Sequence, residues 1–368
     1  MVYDIQYTHQ HIHDLCTVLS DQYLVARPLG FEQGLELFAL ANQVWLSGPL
    51  FFHMCKMAQK EFWDNELYEY GENIYLTYAE RHSAMRTACI SIIQSFQDAN
   101  IDYVLIKGSA NFFNGVSDIS GPVFMSDLDI LLNEQDIAYA SQLLLNLGYT
   151  QEQHALTTKG VERHHVPPFR HPTLPFYVEL HLQPLTKIAQ SYLNKTQIFA
   201  EREFVEYENS RFSVLSPRHQ LLMNILHHMI ADGAYSDKFI DLRQHYNLYT
   251  YVQKWPHTWT SLPTQWDDPI VRRCIEQGDI AMNFLFGYST TCVVSQQAIS
   301  HFHASVKQLL DNLKMPEWQF TLREIINGYR KDTILRLYGD QKRFAVFRGR
   351  VKHFTRHLEI TLNKLLNR

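Results

Sequence analysis

The chain has 368 residues, 46% of them apolar, and a formal charge of −5 at pH 7. That is enough apolar surface for a sizeable core, which excludes a disordered chain, and the near-neutral charge argues against a general nucleic-acid binder. Cys16, Cys55, Cys89, Cys274 and Cys292 are odd in number and form no CxxC pair, so reduced thiols are expected rather than a disulfide framework.

The first residues, MVYDIQYTHQHIHDL, have neither the basic nor the apolar region of a secretory signal. No apolar run reaches the length of a membrane span. A soluble cytoplasmic protein is the expectation. Residues 8–100 read as helical: Leu37, Leu40, Ala41, Val44 and Trp45 recur at helical spacing. Residues 64–99 form one long helix in this reading, with Tyr75, Tyr78, Met85, Ala88, Ile92 and Phe96 along one side.

The pattern then alternates. A strand is expected over 103–107, a short helix near 110–115, and a strand at Asp127–Leu132 (DLDILL). A helix follows from Asn133 to the stop at Gly148, and a strand covers Phe176–Leu182 (FYVELHL). Segments 202–206 and 211–215 suit edge strands. After Ser216-Pro217 the chain returns to helix: 217–233, 236–253, 268–285, 294–312, 317–331 and 341–366. The expected fold class is α/β (α+β): a small mixed-sheet core at 101–215, an N-terminal helical region at 1–100 and a C-terminal helical domain at 216–368.

Asp127 and Asp129 alternate with apolar residues, so they project from one face of their strand, with α-carbons roughly 6.6 Å apart. Two such carboxylates are costly to bury without a cation. Mg²⁺ suits them, with Mn²⁺ as an alternative, because it combines a few carboxylates with substrate phosphates. Gly108-Ser109 lies between a strand and a helix, where free N–H groups favour a phosphate. Glu179 is a third isolated charge in an apolar strand. This set describes a nucleoside-triphosphate site. Removing either aspartate would then relieve like-charge repulsion.

The arrangement resembles the nucleotidyltransferase superfamily that includes DNA polymerase beta. More closely, it is similar to the family labelled uncharacterised nucleotidyltransferase. The resemblance rests on Lys107-Gly108, Asp127-Leu128-Asp129-Ile130-Leu131, Gly148-Tyr149, RHHVPPF and Val178-Glu179-Leu180-His181, and on the downstream LLMNILHHMIADG and FIDLRQHYNLY. It spans roughly 80–350. It implies metal-dependent transfer of a nucleoside monophosphate from a nucleoside triphosphate to an acceptor hydroxyl. Asp127, Asp129 and Glu179 would be catalytic and metal-holding, with Glu179 also helping to deprotonate the acceptor. Lys107, Gly108, Ser109 and His181 would bind the nucleotide. The related family often has an arginine four residues before the first aspartate; here Val123 stands there, leaving Lys107, Arg163 and Arg170 as the nearby cations.

The acceptor stays open among a small molecule, a protein and RNA. The other open reading is a non-catalytic protein that keeps the fold to bind nucleotide or a partner, as an antitoxin or regulatory subunit would. His164 and His165 suit a lid or the acceptor side, and their spacing fits no structural zinc site. Of His227 and His228, one is expected to be a core histidine. The last segment, 341–368, has eight basic residues against Glu359 with apolar residues at helical spacing. It reads as a docked basic amphipathic helix, with RNA contact as the alternative.

Overall fold

A computed structural model describes residues 9–21, 30–57, 64–152, 164–208, 210–289, 294–315 and 319. The basic segment 341–368, all but residue 319 of the helix expected at 317–331, Arg163 and Cys292 lie outside the described residues.

The chain opens with α1 (His9–Leu19), α2 (Phe31–Gln43), α3 (Ser47–Met57) and α4 (Asn65–Asp98). The long helix starts where the Asp64 carboxylate accepts from the backbone N–H groups of Glu66 and Leu67. Its 34 residues span about 50 Å at the usual rise of 1.5 Å. Gly71 lets it press onto the head, because a Cβ there would meet the Phe51 and Phe38 rings at 2.5 and 2.6 Å. Its second half, with Met85, Cys89, Ile92, Ile93 and Phe96 buried, covers one face of the sheet.

The sheet holds β1 (Tyr103–Leu105), β2 (Asp127–Leu132), β3 (Thr150–Gln151), β4 (Phe169–Arg170), β5 (Tyr177–His181), β6 (Glu203–Tyr207) and β7 (Ser210–Val214) in the order β3-β4-β5-β2-β1-β7-β6. β2 pairs antiparallel with β1 and parallel with β5, so the sheet is mixed. Only β6 fulfils the expectation of an edge strand. β7 is interior, parallel to β1, because its Phe212 and Val214 bury against the α4 side. Short helices α5 (Ser117–Ser120), α6 (Ile137–Asn146) and α7 (Lys195–Glu201) connect the strands.

The C-terminal helices are α8 (Pro217–Leu226), α9 (Ala234–Asp237), α10 (Leu242–Lys254), α11 (Pro256–Gln265), α12 (Pro269–Phe286) and α13 (Gln296–Leu313). The helix expected over 217–233 ends early, in a single π turn at His227–Ala231, and Gly233 turns the chain with φ 84°. α11 escapes sequence reading because Pro263 interrupts its pattern. One apolar cluster joins α1–α3, Val104 and Leu131 of the sheet, Ile106 just after β1, and α8, α10, α12 and α13. The sheet is therefore sandwiched: α4 and α6 on one side, the joined N- and C-terminal helices on the other. No described helix is long and apolar enough to cross a membrane, and Cys16, Cys55, Cys89 and Cys274 are free thiols.

Candidate active site

β2 and β5 run in parallel with Asp129 paired to Glu179 and Leu131 to His181. Side chains alternate along each strand, so Asp127, Asp129, Glu179 and His181 share the face whose deeper residue, Leu131, belongs to the C-terminal cluster. Leu128, Ile130, Val178 and Leu180 fill the opposite face. The acids stand where this face opens into a cavity of about 350 Å³. Lys107, Gly108, Asp127, Asp129 and Glu179 line its sheet side; Gln220, Asn224, His227, Arg243 and Asn247 line the helical side.

Asp129 is the hub. It is 2% exposed, and one of its carboxylate oxygens receives both the Lys107 ammonium at 2.6 Å and His181 Nε2 at 2.8 Å. Burial alone would raise its pKa, but Lys107 and then His181 hold it well below the ordinary carboxylate range. Glu179 lies 3.3 Å from the same His181 nitrogen and 3.9 Å from His165 Nε2. Burial opposes its ionisation, and His181 lowers its pKa below the usual value all the same. Asp127 differs. Burial first, then the Asp129 charge, push its pKa up to about 6, and Lys107 offsets only part of this. Asp127 is thus a carboxylate short of positive charge.

Lys107 reaches Asp129 from a backbone with φ 51°, a left-handed conformation that a lysine adopts at a cost. Its carbonyl accepts from Gln220 Nε2 at 3.1 Å, which ties the turn to α8. Ser109 is fully buried, and its hydroxyl accepts from the Asp129 backbone N–H at 2.7 Å. It therefore anchors β2 instead of offering its hydroxyl to the cavity. Gly108 packs on Met125, whose side-chain atoms would meet a Cβ at 3.0 Å. The Lys107–Phe112 segment is a 3₁₀ helix of six residues. Ser109→Ala is expected to cost about 1–2 kcal/mol, the usual penalty for an orphaned buried N–H, with nucleotide affinity nearly unchanged. Chemical denaturation and nucleotide titration of the variant check both halves.

The position where an arginine was missing is buried: Val123 is 8% exposed and lines the cavity. Its loop is strapped to α4, where His82 Nε2 donates to the Val123 carbonyl and Arg81 Nε to the Met125 carbonyl at 2.7 Å. Arg81 also feels the Asp127 charge. Arg243, in the first turn of α10, lines the cavity from the other wall. Arg170 sits exposed on β4, outside the cavity lining. Sequence reasoning missed Arg81 and Arg243 because each comes from a helix distant in the chain.

The residues fit a cation. Donor atoms of Asp129, Glu179 and His181 lie within 4.8 Å of one another, close enough to share one ion. Asp127 faces the same cavity but stands outside that tight set. The two carboxylates suit a hard divalent ion. His181 is the weaker ligand. Its Nε2 must carry a proton to bond the carboxylates, and its buried Nδ1 has no partner among the described residues. A metal-bound histidine normally donates its second N–H to an acceptor.

A family model described as uncharacterised nucleotidyltransferase matches residues 33–281. The chain belongs to that family. The match takes in most of α2 through most of α12, so the sheet and the cavity-lining residues of α8 and α10 fall within this family's span. No curated protein matches the chain.

Proposed function

We propose that the protein transfers a nucleoside monophosphate from a nucleoside triphosphate to an acceptor hydroxyl in this cavity. The observation that carries the reading is the in-register pairing of Asp129 with Glu179 at the mouth of a cavity that Lys107 and Arg243 also line. Asp127, Asp129 and Glu179 would hold Mg²⁺ or Mn²⁺. When bound, the cation offsets charge on the triphosphate and on the transferred phosphoryl group. Lys107 and Arg243 supply the positive charge that draws a triphosphate between sheet and helices. Gly108, which lines the cavity, would stand at the phosphate end, whereas the expected contribution of Ser109 is lost because its N–H donates to the Ile106 carbonyl at 3.2 Å. His181, donating to Asp129 and Glu179, keeps both carboxylates ionised and aimed.

The test is incubation of the full chain with each labelled nucleoside triphosphate, Mg²⁺ and cell extract. One labelled acceptor species is expected, small molecule, protein or RNA, and it should vanish with Glu179→Gln. The rival reading is a nucleotide-binding protein without turnover, favoured by the salt bridge that already engages Asp129. Nucleotide binding seen by thermal shift with no label transferred would establish that rival instead.

A further inference from the structure

His227 and Asp232 form a pair that the acid cluster does not account for. His227 Nδ1 lies 3.0 Å from Asp232 Oδ2, and His227 lines the cavity from the helical side. The two are five residues apart. On an α-helix only residues three or four apart are neighbours, so this pair exists because the chain forms a π turn here. The Asp232 N–H closes that turn on the His227 carbonyl at 2.8 Å. Such single π turns concentrate at functional sites. The neighbouring His228 turns the other way, 3% exposed, onto Phe239 and His245. One histidine of the doublet is therefore core and the other is held at the cavity wall.

We propose that His227, oriented by Asp232, is the general base that takes the proton from the acceptor hydroxyl. The proposal rests on the nucleotidyl-transfer reading. With Nδ1–H donated to Asp232, Nε2 is the free basic nitrogen, the arrangement that a carboxylate imposes on a catalytic imidazole. Glu179 is less suited, since His181 and His165 already engage it. The acceptor O–H proton passes to His227 Nε2 as its oxygen bonds the α-phosphorus. The bond from that phosphorus to the bridging oxygen breaks, and pyrophosphate leaves with the electron pair. The imidazolium, balanced by Asp232, then returns the proton to solvent. The charged or titratable groups around His227 are Asp232 and His228 on its own turn, His164 facing it across the cavity, and Lys107 and Arg243 in the cavity walls.

The experiment uses the full chain, Mg²⁺, labelled nucleoside triphosphate and the extract that supplies the acceptor. His227→Ala is expected to lower kcat about 10²–10³-fold, with KM for the nucleotide within about twofold. Added imidazole should restore part of the rate saturably. Asp232→Asn should lower kcat about tenfold or more. An unchanged rate in His227→Ala overturns the proposal. So does a rate loss matched by lost nucleotide affinity, or one that imidazole does not relieve. If His227→Ala is unfolded by circular dichroism, His227→Gln is read instead: low kcat with nucleotide affinity kept supports the base, and an undiminished kcat overturns it. Failure of the transfer reading looks different, because wild type then binds nucleotide and labels nothing, and the proposal falls with it.

Discussion

Asp129→Asn and Asp127→Asn are both expected to abolish transfer, and to move stability in opposite directions. Asp129 carries the Lys107 ammonium and His181 on one buried oxygen. Removing its charge leaves the part-buried Lys107 ammonium without its partner, a loss below the about 3–5 kcal/mol of a fully buried pair. Asp127 has no such partner to compensate it, and its pKa is raised to about 6. A carboxyl with a raised folded pKa favours the native state when protonated. Its penalty is absent below the unfolded value, grows from about pH 4 through 6, and is complete above. At roughly 1.4 kcal/mol per pH unit the full penalty is of order 2–3 kcal/mol. In chelator-treated protein at pH 8, Asp127→Asn should therefore melt above wild type, with the gain fading towards pH 4. Asp129→Asn should melt below wild type at pH 8. Melting curves from pH 4 to 8 decide it; equal shifts of one sign in both variants would mean that the carboxylates do not divide the site in this way.

The sequence presents these two aspartates as an equal pair, and that is where its legibility ends. Alternation along DLDILL and YVELH places Asp127, Asp129 and Glu179 in apolar strands, and both strands form where expected. Their parallel register, which sets Asp129 beside Glu179 and leaves Asp127 opposite Tyr177, depends on a crossover that no local pattern encodes. The inequality of the acids follows from that register and from Lys107 reaching across from β1. Ser109 shows the same limit. A Gly-Ser turn before a helix reads as a phosphate cradle, whereas the hydroxyl is turned inward onto the Asp129 N–H.

Cations and bases from distant elements were the least legible. Arg81 and Arg243 come from α4 and α10, either side of the sheet segment; Arg243 lies within FIDLRQHYNLY, but nothing in that stretch says that it faces the cavity. The His227-His228 doublet was visible, but its division into a core and a cavity histidine needs a π turn, a backbone choice with no side-chain periodicity of its own. The long helix, by contrast, was readable almost to the residue, since its apolar stripe meets a sheet face along half its length.

Lys107→Met is expected to disable the protein and, at the same time, to make it depend on divalent cation for its stability. In the metal-free protein the lysine ammonium neutralises Asp129 from 2.6 Å. Methionine keeps the length and apolar bulk of the side chain but leaves a buried carboxylate with only His181. A loss of about 3–5 kcal/mol follows from that uncompensated charge. A cation held by Asp129 and Glu179 would supply positive charge to the same carboxylate. It should therefore stabilise the variant more than wild type, where Lys107 already does the work. The increase in melting temperature on adding Mn²⁺ or Mg²⁺ should be several degrees larger in Lys107→Met, because each kilocalorie moves a chain of this size by roughly 2–4 °C or less. Transfer should stay low even with cation present, since the triphosphate has lost one of the two Lys/Arg charges that the described residues place in the cavity lining. Equal cation-induced shifts in the two proteins would place cation and lysine on different carboxylates. The acid pair would then hold its ion through Glu179 and Asp127, with Asp129 kept as the lysine's structural partner.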